Sequence, residues 1–334
     1  MNYRVLGSVM VAAAIAFARP VAYVAQEAGR AAEIIAAARK AIGGGKLDSL
    51  KTFSMESSVE RNLSNMQIAS DVEIVLDLPD KYLRVENPRG AGGGMVRMSG
   101  LGPSGFNGDR PVQKIQPGTM SPGGGMMIRM GGTGAVSGES GEKPTPEQIE
   151  QMMKQMVRAS RIEASRLMLG WFASAHPSAN AEYVYAGEAE SADGKAFVID
   201  VKNADNLTAR LLIDQQSHLP LLVTYKGPQP RVLSAGPGGV SGAGGGAHVI
   251  TSTMSEEDRK KAQADIDKQI KQMQSQPQPM VNYTIYFEEW RTVDGIKFPH
   301  KLRRAMAGTT TEEWTVNKVK VNPKVDPKRF AGES

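Results

Sequence analysis

Histidines and adjacent glutamates are the residues of this chain whose types could carry catalysis or bind a metal ion. The four histidines are His176, His218, His248 and His300. No two of them have the spacing of a metal-binding motif such as H-E-x-x-H. Histidines placed in this way are typical of core or surface positions, so we expect no metal site.

Two pairs of adjacent glutamates, Glu288-Glu289 and Glu312-Glu313, lie in segments predicted as strands. Neighbouring side chains of a strand point to opposite faces of the sheet, so neither pair can converge on one substrate. The chain has no cysteine and no G-x-S-x-G nucleophile motif. The sequence therefore predicts a protein that is not an enzyme and needs no cofactor.

Glycine-rich stretches match the phosphate-binding pattern G-x-G-x-x-G at residues 100–105 and, in its relaxed form, at 242–247. A true dinucleotide-binding loop follows a buried strand and opens a helix. Pro103 interrupts the first match, and in tracts so rich in glycine both matches arise by chance. The stretch "GGGKLD" at 43–48 follows a helix and has Leu47 where a phosphate loop needs serine or threonine. We therefore expect no nucleotide site.

The composition of the chain further limits the class of protein. The chain has 334 residues, of which 40% are hydrophobic, so a large core can be buried. The formal net charge of +5 is much weaker than the concentrated basic patch of a nucleic-acid-binding protein. We expect no nucleic-acid partner.

Residues 1–18 have the pattern of a signal peptide. Arg4 provides a positive start, residues 5–18 form an apolar run, and Ala16-Phe17-Ala18 is a small-x-small cleavage site. The apolar run is too short to span a bilayer as a stable helix. We expect a protein that is exported to a bacterial periplasm, and an uncleaved membrane anchor is the alternative.

Helical periodicity predicts two apolar helices. The first covers residues 28–42 and stops at Gly43. The second opens with a capping box, in which Thr145 is the N-cap, Pro146 the first helical residue and Gln148 the third. Its apolar stripe consists of Ile149, Met152, Met153, Met156, Val157, Ala164, Leu167, Met168 and Trp171. A third predicted helix, at 255–274, has a thin apolar stripe and is expected to be solvated.

Alternating apolar and polar residues predict at least eight strands, mostly joined as hairpins by turns at 79–80, 203–206 and 294–295. The alternation of the last strand changes phase near Asn317, which predicts a β-bulge. Such a sheet is antiparallel and has one apolar face, which the two apolar helices can cover. The predicted fold class is α+β, a curved antiparallel sheet covered by helices.

Low-complexity insertions are predicted at about 90–143 and 228–275. The first contains "GGGMVRMSG" at 92–100 and a near copy, "GGGMMIRMGG", at 123–132. Glycine next to methionine and arginine suggests mobile basic flaps beside the sheet, since methionine adapts to irregular surfaces. A plain insertion without a role explains the same composition equally well.

The stretches "DLPDKYLRVE" (77–86), "GFNGD" (105–109), "LLIDQQSHLPLLVTY" (211–225) and "EEWRTVDGIKFPHKL" (288–302) resemble the LolA-like proteins. These are periplasmic lipoprotein carriers and related outer-membrane lipoprotein-sorting proteins. The resemblance covers roughly residues 27–90, 144–227 and 280–330. It implies a single domain over 19–334, built as an unclosed antiparallel barrel around helices, with an apolar cavity for acyl chains.

The side chains that would line such a cavity follow from alternation within the strands. They are Val72, Ile74, Leu76, Leu83, Val85, Phe197, Ile199, Val201, Leu211, Ile213, Tyr283, Ile285, Phe287, Phe298 and Trp314. The expected function is binding or transport of a lipid or an acylated lipoprotein. The alternative is a sensing or protein-interaction module of the cell envelope, with an envelope protein as partner. A filled apolar cavity favours the first function, and a collapsed core with an exposed apolar patch favours the second.

Overall fold

The computed structural model of the chain describes residues 21–63, 66–89, 97–98, 103–112, 128–129, 145–191, 194–229, 234–236, 239–241, 255–257 and 277–331. The predicted signal peptide, His248, the third predicted helix beyond residue 257 and most of both predicted insertions lie outside these residues.

Three α-helices are present in the described part of the chain: α1 Val21–Ile42, α2 Gly45–Asp48 and α3 Pro146–Phe172. The capping box predicted for α3 is confirmed. The Gln148 backbone N–H donates to Thr145 Oγ1 at 3.3 Å, and the Thr145 backbone N–H donates to Gln148 Oε1 at 2.9 Å. Helix α1 begins seven residues before the predicted start, and two short 3₁₀ helices cover Pro177–Ala179 and Pro327–Phe330.

Most of the described residues form strands. These are β1 Thr52–Leu63, β2 Met66–Asp77, β3 Lys81–Pro88, β4 Arg97–Met98, β5 Ser104–Asn107, β6 Arg110–Pro111, β7 Ile128–Arg129, β8 Glu182–Ser191, β9 Gly194–Lys202, β10 Thr208–Asp214, β11 Pro220–Pro228, β12 Ser234–Gly236, β13 Gly239–Ser241, β14 Met280–Val293, β15 Ile296–Met306 and β16 Thr309–Val321.

One antiparallel sheet contains twelve of these strands, in the order β6-β5-β3-β2-β1-β16-β15-β14-β11-β10-β9-β8. Within the described residues the edge strands β6 and β8 do not pair with each other, so the sheet is not closed. Strands β4 and β7 pair with each other, as do β12 and β13. The fold is therefore the α+β class that the sequence predicts, with a curved antiparallel sheet and helices against one face.

The predicted bulge in the last strand is confirmed. Glu56 pairs with Lys318 and Ser57 pairs with Val316, so no β1 residue lies opposite Asn317 in the strand register. The predicted insertion at about 90–143 needs a correction, because β5 and β6 lie within it and join the main sheet beside β3. Phe106 of β5 is fully buried. A strand of four residues between glycines is too short for alternation to reveal it.

Helices α1 and α3 pack against the same face of the sheet, which we call the inner face. Four aromatic rings fill the seam between α3 and this face: Phe53, Trp171, Phe172 and Phe298, with centroid distances of 5.0 to 6.2 Å. These rings pack in tilted or edge-on arrangements, which aromatic pairs prefer over a face-to-face sandwich. The middle of the inner face is therefore a solid core.

The opposite, outer face is apolar at two places. Val75, Leu83, Val112 and Phe330 form a small cluster there, and the C-terminal segment with Phe330 covers it. Arg329 of this segment donates to both carboxylate oxygens of Glu73, at 2.9 and 2.6 Å. A second outer cluster lies on β9, β10 and β11. Among the described residues, no helix has the length and apolar character needed to cross a membrane.

Close packing of α3 on β14 predicts the effect of adding a single methyl group. A Cβ at Gly170 would stand 1.8 Å from Cζ of the Phe287 ring, whereas a Cβ at Gly29 of α1 meets no atom within 4 Å. We expect Gly170→Ala to lower the free energy of unfolding by about 1–3 kcal/mol, because the core becomes overpacked. Gly29→Ala is the matched control and should raise it by about 0.5–1 kcal/mol through helix propensity.

Denaturant unfolding of both variants and the wild type measures these differences. A stabilised Gly170→Ala protein would mean that α3 does not approach β14 this closely.

Candidate functional site

Most of the residues predicted to line a cavity do lie together on the inner face. Twelve of them belong to the main core cluster or pack against it: Val72, Ile74, Leu76, Phe197, Ile199, Val201, Leu211, Ile213, Ile285, Phe287, Phe298 and Trp314. Tyr283 lies beside them and stacks on Tyr225, with the ring centroids 5.2 Å apart. Whether these side chains ever contact a ligand stays a prediction.

Leu83 and Val85 are the two exceptions, because the structure places them on the outer face. Leu83 belongs to the outer cluster with Val75 and Phe330, and Val85 packs against that cluster. The inner face of β3 is instead formed by Tyr82, which belongs to the main core cluster. Alternation could not decide the phase of β3, because the stretch "YLRVE" has apolar residues on both faces.

The described residues form depressions outside the core seam. One of about 490 Å³ lies beside α1 and is lined by Ala28, Ala32, Ile35 and Tyr183, among others. A second, of about 300 Å³, lies at β9 and β10 beside Lys195. Neither of the two lies between α3 and the inner face, where the aromatic rings are packed against each other.

One end of the inner face is charged instead of apolar. Seven side chains meet there, and we call them the inner charge cluster: Arg61, Arg84, Glu86, Glu163, Arg166, Arg304 and Glu312. Strand register brings three of them side by side, since Glu312 of β16 pairs with Arg61 of β1 and with Arg304 of β15. Helix α3 contributes Glu163 and Arg166 from above the sheet.

Arginines bridge the three carboxylates of this cluster. Arg61 forms a bidentate pair with Glu86, and its Nε donates to Glu312 Oε1 at 2.9 Å. Arg84 joins Glu86 to Glu163, with Nη2 donating to Glu86 at 3.0 Å and Nη1 to Glu163 at 3.4 Å. Arg304 donates to Glu163, and its Nε lies 3.7 Å from Glu312 Oε2. Bidentate arginine pairs of this kind hold carboxylates in a defined orientation.

Trp314 is the platform on which the cluster is built. Its ring is fully buried, with the guanidinium carbons of Arg84 and Arg304 at 5.1 and 5.2 Å from the ring centroid. Its Nε1 donates to Glu312 Oε2 at 2.9 Å. The aromatic ring thus supports two cations on its surface and fixes an anion at its edge.

The protonation states follow from these contacts. Burial by itself would raise the pKa of Glu312, but Arg304, Arg61 and Arg84 outweigh it and lower that pKa to about 2. The pKa of Glu163 is also lowered, because Arg304 and Arg84 outweigh the effect of its burial. Both groups therefore stay ionised near neutral pH, which suits binding or structural support and not the transfer of protons.

Arg166 differs from the other arginines of the cluster. Among the described residues it has no carboxylate oxygen within 4.0 Å, and its guanidinium carbon lies 3.5 Å from the centroid of the Tyr225 ring. Its Nε, like that of Arg304, is buried and has no hydrogen-bond acceptor in the described structure. Burial lowers the pKa of Arg166 below its ordinary value.

The apolar stripe of α3 changes in burial along the helix. Val157, Ala164, Leu167, Met168 and Trp171 are buried. The stripe continues toward the N-terminus with Ile149, Met152, Met153 and Met156, which are only half-buried. Within the described structure none of these four belongs to the main core cluster.

The inner charge cluster was missed by the sequence analysis, although a signal for it exists. Arg61 follows Val59 by two positions, Glu312 precedes Trp314 by two, and Arg304 follows Leu302 by two. Each charged residue therefore shares a strand face with a buried apolar residue. Charges at inward positions of three separate strands indicate a buried ionic cluster.

The histidines that the structure describes do not form a cluster that could carry catalysis or bind a metal ion. His176 is buried, its Nδ1 lies 2.8 Å from Ser178 Oγ, and burial lowers its pKa to about 4. His300 Nδ1 lies 3.0 Å from the backbone oxygen of Phe298. In the part of the chain that the structure describes, no group of three or more histidine, aspartate or glutamate side chains could hold a metal ion.

The inner charge cluster predicts a large effect of removing one buried charge. We expect Glu312→Gln to lower the free energy of unfolding by about 3–5 kcal/mol, because it leaves Arg61 and Arg304 undercompensated in a desolvated place. Glu313→Gln is the control at the next position, where the side chain is exposed. It should change stability by less than about 0.5 kcal/mol. Denaturant unfolding of the two variants decides, and equal stability would contradict the buried cluster.

The buried His176 predicts a pH dependence of stability. Its folded pKa of about 4 lies below the ordinary value of 6.5, so the unfolded chain binds the proton more readily. Its contribution is fully present above pH 6.5 and is lost as the pH falls toward 4, at up to about 1.4 kcal/mol per pH unit. His176→Asn keeps a hydrogen-bond acceptor for Ser178 and should flatten this slope. If the free energy of unfolding of the wild type and of His176→Asn changed with pH at the same slope between pH 6.5 and 4.5, this role of His176 would be refuted.

Comparison with known proteins gives similar structures but no similar sequences. No family model matches the chain, and no curated protein sequence matches it. A LolA superfamily protein from Nitrosomonas europaea is 9% identical, with a TM-score of 0.44, and the match covers 90% of this chain and 96% of that one.

Two further solved structures are similar to a comparable degree. A DUF1329 family protein from Desulfovibrio piger is 9% identical, with a TM-score of 0.43 over 90% of this chain and 96% of that one. A putative outer membrane lipoprotein-sorting protein domain from Vibrio parahaemolyticus is 11% identical, with a TM-score of 0.41 over 91% and 97%. The architecture rests on the sheet order and helix packing given above.

Proposed function

We propose that this chain is a non-enzymatic binding protein of the bacterial periplasm that holds the acyl chain of a lipid or a lipoprotein. The observation that carries this proposal is the half-buried apolar stripe of α3. Four long apolar side chains extend the apolar stripe beyond the packed seam and do not belong to the main core cluster: Ile149, Met152, Met153 and Met156. An acyl chain placed along them would extend the existing core.

The energetics of such binding are favourable. Each Å² of apolar surface removed from water contributes about 25 cal/mol, and four half-buried side chains provide surface of this kind. Methionine is unbranched and flexible, so it can follow the shape of different chains without a preformed pocket. This suits a carrier, which has to take up and release its cargo.

The two halves of α3 are held in different ways. Gly170 is pressed against Phe287, and Trp171 is fully buried, so the C-terminal half is fixed by apolar packing. Further toward the N-terminus, Arg158 donates to the backbone oxygen of Asp205 at 2.7 Å, and Arg161 contacts Asp109. Polar contacts at the surface are exchanged for water at little cost. We therefore propose that cargo enters beside the N-terminal half of α3.

A second function has one observation in its favour. The seam between α3 and the sheet is filled by aromatic rings, as in a module that binds proteins and no lipid. In that case the half-buried stripe of α3 would contact an envelope protein. Binding of a single acyl chain to the isolated protein separates the two proposals.

The acyl-binding proposal predicts the effect of a charge within the stripe. Met153→Glu should weaken binding of a monoacylglycerol at least tenfold, because the apolar chain would have to desolvate a carboxylate. Gln155→Glu places the same charge on an exposed position of the same helix and should leave binding unchanged. Displacement of a fluorescent acyl probe measures both, and thermal unfolding verifies that the variants are folded.

Failure of the wild-type protein to bind any single-chain amphiphile would exclude the carrier function and favour the protein-interaction module. Equal binding by Met153→Glu and Gln155→Glu would show that the chain lies elsewhere.

A further inference from the structure

We infer that the inner charge cluster is an oxyanion site in which Arg166 receives the phosphate or carboxylate group of the bound amphiphile. This inference rests on the proposed function and adds the chemical class of the headgroup. It is carried by the charge balance of the cluster, by the buried Nε of Arg166 that lacks an acceptor, and by the position of Arg166 on the helix that bears the apolar stripe.

The cluster contains more positive than negative charge. Four arginines meet three glutamates, and the carboxylates of Glu86, Glu163 and Glu312 are shared among Arg61, Arg84 and Arg304. Arg166 is therefore left without a carboxylate within ion-pair distance in the described structure. Glu163, which attracts it, is already paired with Arg84 and Arg304. A partly desolvated cation of this kind is satisfied when an anion binds.

The guanidinium of Arg166 is presented in a suitable way for such an anion. One face of it lies on the Tyr225 ring, with the guanidinium carbon 3.5 Å from the ring centroid, and its buried Nε–H has no acceptor in the described structure. The Tyr225 ring is itself held in place, since it stacks on Tyr283 and the hydroxyl of Tyr283 donates to the Pro228 backbone oxygen at 2.8 Å. Guanidinium groups bind phosphate and carboxylate through two parallel hydrogen bonds.

Arg166 is partly exposed to solvent. The residue is half-buried, in contrast to Arg61, whose side chain is 9% exposed. Arg166 also lies on the same helix as the methionine stripe, ten residues beyond Met156. A rise of 1.5 Å per residue separates the two by about 15 Å, which lies within the length of a long acyl chain. Headgroup and chain can therefore engage one helix at the same time.

The test uses three probes and two variants in calorimetric titrations. The probes are lysophosphatidic acid, the monoacylglycerol with the same acyl chain, and glycerol phosphate. Arg166→Gln removes the proposed anion donor, and Lys154→Gln removes an equal charge from an exposed place on the same helix. We expect the wild type and Lys154→Gln to bind lysophosphatidic acid at least tenfold more tightly than monoacylglycerol, since hydrogen bonds to charged groups are the strong ones. Arg166→Gln should lose this preference and keep its affinity for monoacylglycerol.

The outcomes separate the inference from the proposed function. If the wild type binds both acyl probes equally, or if Arg166→Gln keeps the preference, the oxyanion site is refuted while acyl binding stands. If the wild type binds neither acyl probe, the proposed acyl binding fails. The titration with glycerol phosphate then tests whether the oxyanion site exists by itself. Binding of glycerol phosphate that Arg166→Gln abolishes would support an oxyanion site without a lipid, and absence of such binding would overturn the site as well. Thermal unfolding of Arg166→Gln verifies that a lost preference is not a lost fold.

Discussion

Burial of the C-terminal half of α3 against the inner face positions both the aromatic core and the inner charge cluster. Gly170 allows the helix to approach β14 within contact of Phe287, and the rings of Phe53, Trp171 and Phe298 then fill the seam. A close-packed seam leaves no room for the helix to slide. The direction of α3 is thereby set, and with it the place of Glu163 and Arg166 over the charged end of the sheet.

Two different environments follow along one helix. The packed seam removes apolar surface from water, whereas the inner charge cluster keeps ionised groups in a partly desolvated place through mutual pairing. Beyond the cluster, the methionines of α3 remain half-buried. An apolar stripe on the same helix as an arginine whose buried Nε lacks an acceptor matches the two parts of an amphiphile with an anionic headgroup, which connects the proposed function with the proposed headgroup site.

Short sequence patterns predicted those parts of the fold that depend on interactions between residues close together in the chain. The capping box at Thr145 is satisfied by atoms three residues apart, and the bulge at Asn317 appears as a change of phase within one strand. Long alternating strands likewise allowed twelve of the predicted lining residues to be assigned to the correct face. Short strands escaped this reasoning, as did β3, where Leu83 and Tyr82 are both apolar and only the C-terminal segment with Phe330 decides which one faces outward.

Hydrophobic periodicity within each element was enough to predict the α+β class, the two helices that cover the sheet, the antiparallel hairpins and most of the inner face. The aromatic packing in the middle of the inner face and the charged residues at its end could be recognised only from the assembled fold. The charged residues come from four separate elements: Arg61, Glu86, Glu163 and Arg304. Their pairing depends on the strand register and on the distance between α3 and the sheet, and a local sequence pattern contains neither.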